Sequence, residues 1–199
     1  MGIRHLQRWV DEHCVECSNL QVIRVGTRLI IDGLGLCYFL INKSPAARLG
    51  DYKALDVLVR SALRSLKRAG LRVSVYLDGR GTMLKSATLV DRRLQRAQRW
   101  ERLQAKCLGG AAVEPSELHE PGLMIEQFAL SAAAAEIDVH QCKGEADPEM
   151  ARACFESDGA VILGEDSDFY LYRDVQACSF HFACGQHVSL SPLTHISGS

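Results

Sequence analysis

The sequence predicts an α/β fold, in which a mainly parallel twisted sheet has helices on both faces. Three observations support this prediction. Short apolar runs alternate with longer amphipathic segments, and the stretches between apolar runs are long enough to hold crossover helices. Apolar residues make up 47% of the chain and charged residues 24%, the balance of a protein with a full hydrophobic core. Parallel strands joined by crossover helices are buried on both faces, so their sequences are apolar runs.

The elements of this fold can be assigned in chain order. Each predicted strand is a short apolar run, and each predicted helix repeats apolar residues at three- or four-residue spacing. Strands are predicted at 28–32, 71–77, 137–141 and 160–163, and helices at 3–13, 51–69, 84–107, 122–135 and 145–156. Residues 164–168 are predicted to form a loop, 169–190 a β-rich segment, and 109–121 is the most loop-like stretch. All 199 residues are expected to form a single domain.

Charge is unevenly distributed, although the whole chain is nearly neutral, with a net charge of −1. Residues 79–107 have eight basic and two acidic side chains, whereas residues 140–168 have eight acidic and two basic ones. A basic region beside an acidic one can bind a polyanion at the first and a cation at the second. No apolar run reaches the roughly 20 residues of a membrane span, and the N-terminus lacks a signal-peptide pattern. We therefore expect an intracellular protein without a membrane partner.

The eight cysteines favour reduced thiols over disulfides, because the chain is long enough to fold around its own core. Most of them lie in apolar runs and are predicted to be buried. Two sets have spacings found in zinc sites: Cys14 with Cys17, and the series Cys178, His181, Cys184 and His187. The first set has no second pair, and the second would be scattered around a strand. Zinc is therefore the less favoured interpretation.

Acidic side chains follow each predicted strand before residue 170. Taken singly, such an acid is typical of a turn or of a first helical turn. In parallel sheets, however, ligands bind at the carboxyl ends of the strands, where these acids would meet and repel one another without a cation. Oxygen ligands favour Mg²⁺ or Mn²⁺, and two such ions about 4 Å apart can hold and activate a phosphodiester. The six acids are Asp32, Asp78, Glu145, Asp147, Asp166 and Asp168.

The predicted helix at 84–107 concentrates basic side chains on one face. At about 100° per residue, four of them lie within about 60° of helical arc. A stripe of this kind can be a solvated helix face. Beside an acidic edge that favours metal ions, it indicates a surface for the phosphate groups of a nucleic acid. The four residues are Lys85, Arg92, Arg96 and Arg99.

Five segments together resemble the flap-endonuclease/XPG superfamily, which has a PIN-like fold. They are M-G-I-R-H-L, L-I-I-D-G-L-G-L-C-Y, Y-L-D-G-R-G-T-M-L-K-S, K-G-E-A-D and I-L-G-E-D-S-D-F. The opening M-G-I-R, with Y-L-D-G and E-D-S-D-F, is most similar to the asteroid branch. The resemblance extends from Gly2 to about residue 190. It implies a metal-dependent, structure-specific endonuclease that cleaves single-stranded, overhanging or flap DNA, with a nuclear role in DNA repair.

The resemblance also implies roles for individual residues. The six acids would hold two Mg²⁺ or Mn²⁺ ions, with Glu145 and Asp147 matching the E-x-E pair of the family and the second Glu shortened to Asp. Lys85 and Arg92 would act as catalytic residues at the scissile phosphate, in a basic helical gateway at about 79–110. Tyr38 would stack on a base, although a core aromatic is the alternative, and Gly2 would lie near the site. DNA contacts would come from Gly2, Tyr38, Lys85, Arg92, Arg96 and Arg99. The partners implied are single-stranded or branched DNA and a recruiting repair protein.

Two features of the family have no counterpart in this sequence. The family places a seventh aspartate downstream of its D-x-D pair, followed by a helix-hairpin that grips duplex DNA. Here 31 residues follow Asp168, which is too few for either feature. We therefore expect a fragment or isoform without the C-terminal part, or an incomplete site with weak activity favoured by Mn²⁺. The alternative function is a PIN-like scaffold with a regulatory or signalling role.

Overall fold

The computed structural model describes residues 23–79, 86–114, 117–118, 120–172, 175, 177–178, 180 and 192–193. The first half contains β1 (Arg28–Asp32), α1 (Gly33–Ile41), α2 (Pro45–Arg48), α3 (Tyr52–Arg68), β2 (Arg72–Leu77) and α4 (Ser86–Leu108). The second half contains α5 (Met124–Ala134), β3 (Asp138–Gln141), α6 (Ala146–Phe155) and β4 (Val161–Leu163). A 3₁₀ helix (Ser167–Leu171) and two short strands, β5 (Ala177–Cys178) and β6 (Pro192–Leu193), follow.

The strands form one sheet in the order β3-β2-β1-β4-β5-β6. β1 lies between β2 and β4 and is parallel to both, while β3 and β5 extend the sheet in parallel. Within the described residues, only the pairing of β5 with β6 is antiparallel. The predicted mainly parallel α/β sheet is therefore confirmed. Because the strands run the same way, the carboxyl ends of β1, β2, β3 and β4 share one edge, which we call the carboxyl edge.

Helices cover both faces of the sheet. α1, α3 and α5 pack on one face around a core that includes Leu29, Ile31 and Phe128. α6 packs on the other face, where Ile30 and Met150 are buried. Adjacent residues of β1 enter opposite cores because side chains alternate across a strand. Two buried faces explain why this strand is an unbroken apolar run.

α3 shows how closely the apolar pattern predicts an element. Leu55, Val59, Leu63 and Leu66 are buried on one face of the helix. The helix begins after Asp51, whose carboxylate accepts the N–H of Ala54 at 2.9 Å. It ends near Gly70, which has a φ of 82° that few other residues adopt. The prediction of a helix at 51–69 is confirmed to within a residue at each end.

The chain after β4 differs from the prediction. Residues 164–168 were expected to be a loop and 169–190 β-rich, but Ser167–Leu171 forms a 3₁₀ helix. The side chain of Asp166 accepts the N–H of Asp168 at 3.0 Å, and this local hydrogen bond starts the turn. Between 169 and 190, the described residues contain strand only at Ala177–Cys178. The predicted helix at 3–13 lies outside the described residues.

α4 has 23 residues and is largely solvent-exposed where the burial of its side chains is described. Leu103 is buried, whereas the apolar side chains Val90, Leu94 and Leu108 are exposed. The predicted basic helix at 84–107 is thus present and stands away from the core. Among the described helices, none combines the length and apolarity needed to cross a lipid bilayer.

Candidate metal centre

Asp32 is fixed at the junction between β1 and α1. Its Oδ1 accepts the N–H of Gly35 at 3.0 Å, which caps α1. A side chain on Gly35 would overlap the carboxylate of Asp32, and one on Gly33 would lie 2.8 Å from the carbonyl oxygen of Tyr76. The two glycines in D-G-L-G therefore allow α1 to start close against β2 without covering the carboxylate.

Asp78 connects β2 with the start of α6. Its Oδ1 accepts the N–H of Ala146, the first residue of α6, at 2.8 Å. The next residue, Gly79, donates its N–H to the carbonyl oxygen of Gly144 at 2.7 Å, and the side chain of Gln141 donates to the carbonyl oxygen of Asp78. These bonds hold the carboxylate of Asp78 beside the first turn of α6.

Three carboxylates lie closest together at the carboxyl edge. Asp147 is in the first turn of α6, and Asp166 and Asp168 follow β4. Each residue offers an oxygen that lies within 4.8 Å of the other two, and all three residues are partly exposed. In the described part of the chain, this is the one group of His, Cys, Asp or Glu side chains with such spacing.

Burial and mutual repulsion raise the pKa of two carboxyl groups at this edge. The pKa of Asp32 rises to about 6, first because of burial and then because of Asp78 and Asp166, while the N–H of Gly35 opposes the rise. The pKa of Asp147 rises to about 7, through burial and through the charges of Asp166, Asp32 and Asp78. A first-turn carboxylate is normally stabilised by the helix dipole, so burial and the neighbouring negative charges together outweigh the dipole here.

These carboxylates fit a hard divalent cation. Carboxylate oxygens are the ligands that Mg²⁺ and Mn²⁺ prefer, and a cation would relieve the repulsion that raises the pKa of Asp147. The structure brings Asp147, Asp166 and Asp168 together and places Asp32 and Asp78 near enough to act on the pKa of Asp147. Glu145, at the N-cap of α6, lies outside the close group of three. The prediction of two ions held by six acids remains a prediction.

Sequence reasoning missed Tyr172, which lies beside the acidic cluster. Its pKa is raised, first by burial and then by the charges of Asp147, Asp168, Glu145 and Asp166. Its ring packs against Phe169 with the centroids 6.4 Å apart. Tyr172 is the extended residue directly after the 3₁₀ helix Ser167–Leu171. Its proximity to the acids depends on the path of the chain after β4, which no periodicity in the sequence indicates.

The structure describes four of the six residues predicted to contact nucleic acid. Arg96 and Arg99 are exposed on α4, and Arg92 belongs to the same helix. Tyr38, on α1, is partly buried against the core, so the structure fits the alternative of a core aromatic and leaves base stacking as a prediction. Gly2 and Lys85 lie outside the described residues.

Without divalent ions, we expect the free energy of unfolding to fall as the pH rises from about 4 to about 8. The pKa values of Asp32 and Asp147 in the folded protein, about 6 and about 7, exceed the ordinary value of 3.8. In this pH range the folded protein therefore binds more protons than the unfolded chain, and stability is lost as the two groups ionise. Bound Mg²⁺ should reduce the fall. Urea denaturation at the two pH values, in EDTA and in Mg²⁺, measures both effects; equal stability at both pH values in EDTA would contradict the expectation.

The fold described above is that of known nuclease cores. No known protein family and no curated protein matches the sequence. The catalytic core of Rad2 in complex with DNA substrate superposes on 96% of this chain and 55% of its own, with a TM-score of 0.59 and 15% identity. Human GEN1 in complex with Holliday junction DNA matches 98% of this chain and 44% of its own, with a TM-score of 0.56 and 12% identity. The Holliday junction-resolving enzyme GEN1 in complex with product DNA and a Mg²⁺ ion gives a TM-score of 0.50 at 17% identity, over 96% of this chain and 35% of its own. This chain thus spans about half the length of the Rad2 core.

Proposed function

We propose that this chain is the nuclease part of a metal-dependent, structure-specific endonuclease that cleaves single-stranded, overhanging or flap DNA in DNA repair. The observation that carries the proposal is the meeting of Asp147, Asp166 and Asp168, within 4.8 Å of one another, at the carboxyl edge. The sequence motifs favour the asteroid branch of the flap-endonuclease/XPG superfamily. A nuclear location and a recruiting repair protein belong to the same proposal.

The structural neighbours support this function. The Rad2 core was solved in complex with DNA substrate, and GEN1 with product DNA and a Mg²⁺ ion. Both share the fold of this chain, and in this chain the carboxyl edge of the sheet bears acidic side chains. A shared fold does not transfer an activity by itself, so the functional argument depends on the acids of this chain.

The proposed chemistry assigns a task to each group of residues. Asp147, Asp166 and Asp168 would hold one divalent ion, and Asp32, Asp78 and Glu145 would complete the site for a second. When bound, Mg²⁺ or Mn²⁺ supplies an activated water molecule and stabilises the leaving oxygen. Because the pKa of Asp147 is about 7, this carboxyl group is mostly protonated below neutral pH. A cation that binds there must displace the proton, so ion binding should strengthen as the pH rises.

α4 would provide the complementary positive charge. Arg96 and Arg99 are exposed and make the helix a surface for the sugar-phosphate backbone. Lys85 and Arg92, which the resemblance places at the scissile phosphate, would stabilise negative charge that develops there during cleavage. Tyr38 and Gly2 would contact the DNA near the acids, with Tyr38 stacked on a base.

A nuclease assay tests the proposal directly. End-labelled single-stranded, overhanging, flap and duplex DNA would be incubated with the chain in Mg²⁺, in Mn²⁺ and in EDTA. We expect cleavage of the single-stranded or overhanging substrates that stops in EDTA and in the Asp166→Asn variant. If no substrate is cleaved and calorimetry detects no divalent ion bound, the chain is a scaffold with an unused acidic edge, and the proposal fails.

The basic helix yields a second prediction. Arg96→Ala and Arg99→Ala should each weaken DNA binding and reduce the slope of log K against log[salt] by about 0.7 to 0.9, because each removes one phosphate contact. Lys85→Ala and Arg92→Ala should lower turnover more than binding. Lys53→Ala, an equal loss of charge at the exposed start of α3, is the control and should leave the slope unchanged. Filter binding across a salt series measures the slopes, and the same slope for Arg96→Ala and Lys53→Ala would contradict the predicted role of α4.

A further inference from the structure

A groove separate from the carboxyl edge lies between α3 and the C-terminal end of α5. Its volume is about 710 Å³, and its walls include Val57, Arg60, Arg64, Lys67 and Glu136. α3 leads directly into the amino end of β2, whereas the acids follow the carboxyl ends of the strands. The Lys67 end of the groove therefore lies near the amino end of β2, at the opposite end of that strand from Asp78. The proposed nuclease chemistry does not use this groove.

The Lys67–Glu136 ion pair and the hydrogen bond between Ser131 and Asp56 join the two walls of the groove, while a second ion pair lies within α3. Lys67 Nζ donates to the carbonyl oxygen of Glu136 at 3.1 Å and to its carboxylate at 3.0 Å, which joins α3 to the turn after α5. Arg60 pairs with Asp56 at 3.0 Å, and Asp56 also accepts the hydroxyl of Ser131 on α5 at 2.7 Å. These contacts across the two helices mean that the groove is formed before any ligand binds.

The groove has an excess of positive over negative charge. Arg64 is exposed and, within the described residues, its guanidinium forms no hydrogen bond or salt bridge, although its charge helps to lower the pKa of Glu136. Arg68, one turn further along α3, has its guanidinium 3.3 Å from the hydroxyl of Ser65 and has no acidic partner in the same part of the chain. Arg60, Arg64 and Arg68 follow one another at four-residue intervals and therefore lie along one face of the helix.

An apolar surface lies beside these charges. Val57 is 58% exposed, one turn before Arg60 on the same face of α3. Ala134, at the end of α5, lines the opposite wall. Covering the methyl groups of Val57 removes apolar surface from water, which favours a ligand with an apolar side chain. The groove therefore offers both cationic and apolar contacts.

We propose that this groove binds an acidic peptide segment of a partner protein that carries an apolar side chain. Carboxylates of the peptide would pair with Arg64 and Arg68, whose guanidinium groups suit carboxylate geometry, and the apolar side chain would cover Val57 and Ala134. A sugar-phosphate backbone could meet the arginines but would leave Val57 exposed, so the groove fits a peptide better than a nucleic acid. The inference goes beyond the proposed nuclease function and does not depend on it.

The test is a binding measurement in EDTA, so that the metal centre makes no contribution. The probe is a fluorescein-labelled peptide of Glu and Asp residues around a central Leu-Leu pair, titrated with the full chain and followed by anisotropy. We expect saturable binding that weakens about five- to tenfold in Arg64→Glu, since reversing one charge turns an attraction into a repulsion. The control Arg102→Glu makes the same change in net charge on α4 and should leave the affinity unchanged.

The variant Val57→Ala distinguishes a peptide ligand from a nucleic acid. This variant keeps the helix and the charges but removes two methyl groups. The affinity for the peptide should therefore fall about two- to fourfold, while the affinity for DNA stays unchanged. A version of the probe with Gly-Gly in place of Leu-Leu should lose at least the same factor, because it removes more apolar surface. The proposal is overturned if the peptide does not bind, if Arg64→Glu and Arg102→Glu behave alike, or if a duplex DNA binds through Arg64 while the peptide does not.

Discussion

The variant Asp147→Asn should melt several degrees higher than the unmodified chain in EDTA at about pH 8, and it should lose nearly all metal-dependent cleavage. The pKa of Asp147 is raised to about 7 by burial and by Asp166, Asp32 and Asp78, so its ionised form destabilises the metal-free fold. After allowance for its partial exposure, neutralising it should restore about 2 kcal/mol, or roughly 4 to 8 °C in Tm. The same substitution removes a proposed ligand, which should reduce cleavage by about a hundredfold or more.

The control for this experiment is Asp158→Asn. Asp158 is an exposed aspartate after α6, remote from the carboxyl edge, and its removal changes the net charge by the same amount. Differential scanning fluorimetry in EDTA and in Mg²⁺ measures both effects on the two variants. If Asp147→Asn melts lower than the unmodified chain in EDTA, or if both variants gain equally from Mg²⁺, the carboxyl edge is not a metal centre.

The variant Gly79→Ala should lose about 3 kcal/mol of folding free energy. A methyl group on Gly79 would overlap the carbonyl oxygen of Cys142 and lie 2.7 Å from the carbonyl carbon of Lys143. Both neighbours are backbone atoms, so relief requires the connection after β3 to move away from β2. Because Asp78 is adjacent, the same movement should pull its carboxylate from the N–H of Ala146 and weaken divalent-ion binding.

Gly144→Ala provides the matched control in the same loop. A methyl group there has no heavy atom of another residue within 4 Å, and the φ of Gly144 is not in the left-handed region. We expect a change of about 0.5 kcal/mol or less for this variant. Urea denaturation gives both free energies of unfolding, and calorimetry gives the affinity for Mg²⁺. Equal free energies for the two variants would show that Gly79 has more room than the structure gives it.

Most of the sheet could be predicted from the sequence, because local sequence patterns specify its elements. The apolar run at Arg28–Asp32 and the repeat of Leu55, Val59, Leu63 and Leu66 each specify an element without reference to the rest of the chain. The 3₁₀ helix at Ser167–Leu171 depends instead on one side-chain hydrogen bond from Asp166, which periodicity does not report. A short polar turn and a short helix have the same sequence pattern, and only the hydrogen bond distinguishes them.

The sequence could predict the edge of the sheet on which the candidate site lies. Parallel strands bring their carboxyl ends together, so the meeting of acids from β1, β2 and β4 follows from topology. The sequence could not indicate that Asp147, Asp166 and Asp168 come closest, since that depends on side-chain directions. Nor could it indicate Tyr172 or the groove between α3 and α5, because both arise from contacts between distant segments.

The acids at the carboxyl edge differ in whether they contribute to the stability of the fold. Asp32, Asp78 and Asp166 each accept a backbone N–H that starts a helix or turn, so selection for folding alone would keep them. Asp147 makes no hydrogen bond within the described residues, and its pKa of about 7 means that its ionised form lowers the stability of the fold. Selection for folding alone would therefore replace Asp147 first. If the carboxyl edge binds metal, relatives of this chain that bind it should keep Asp147, and relatives that do not should lose it before the other acids.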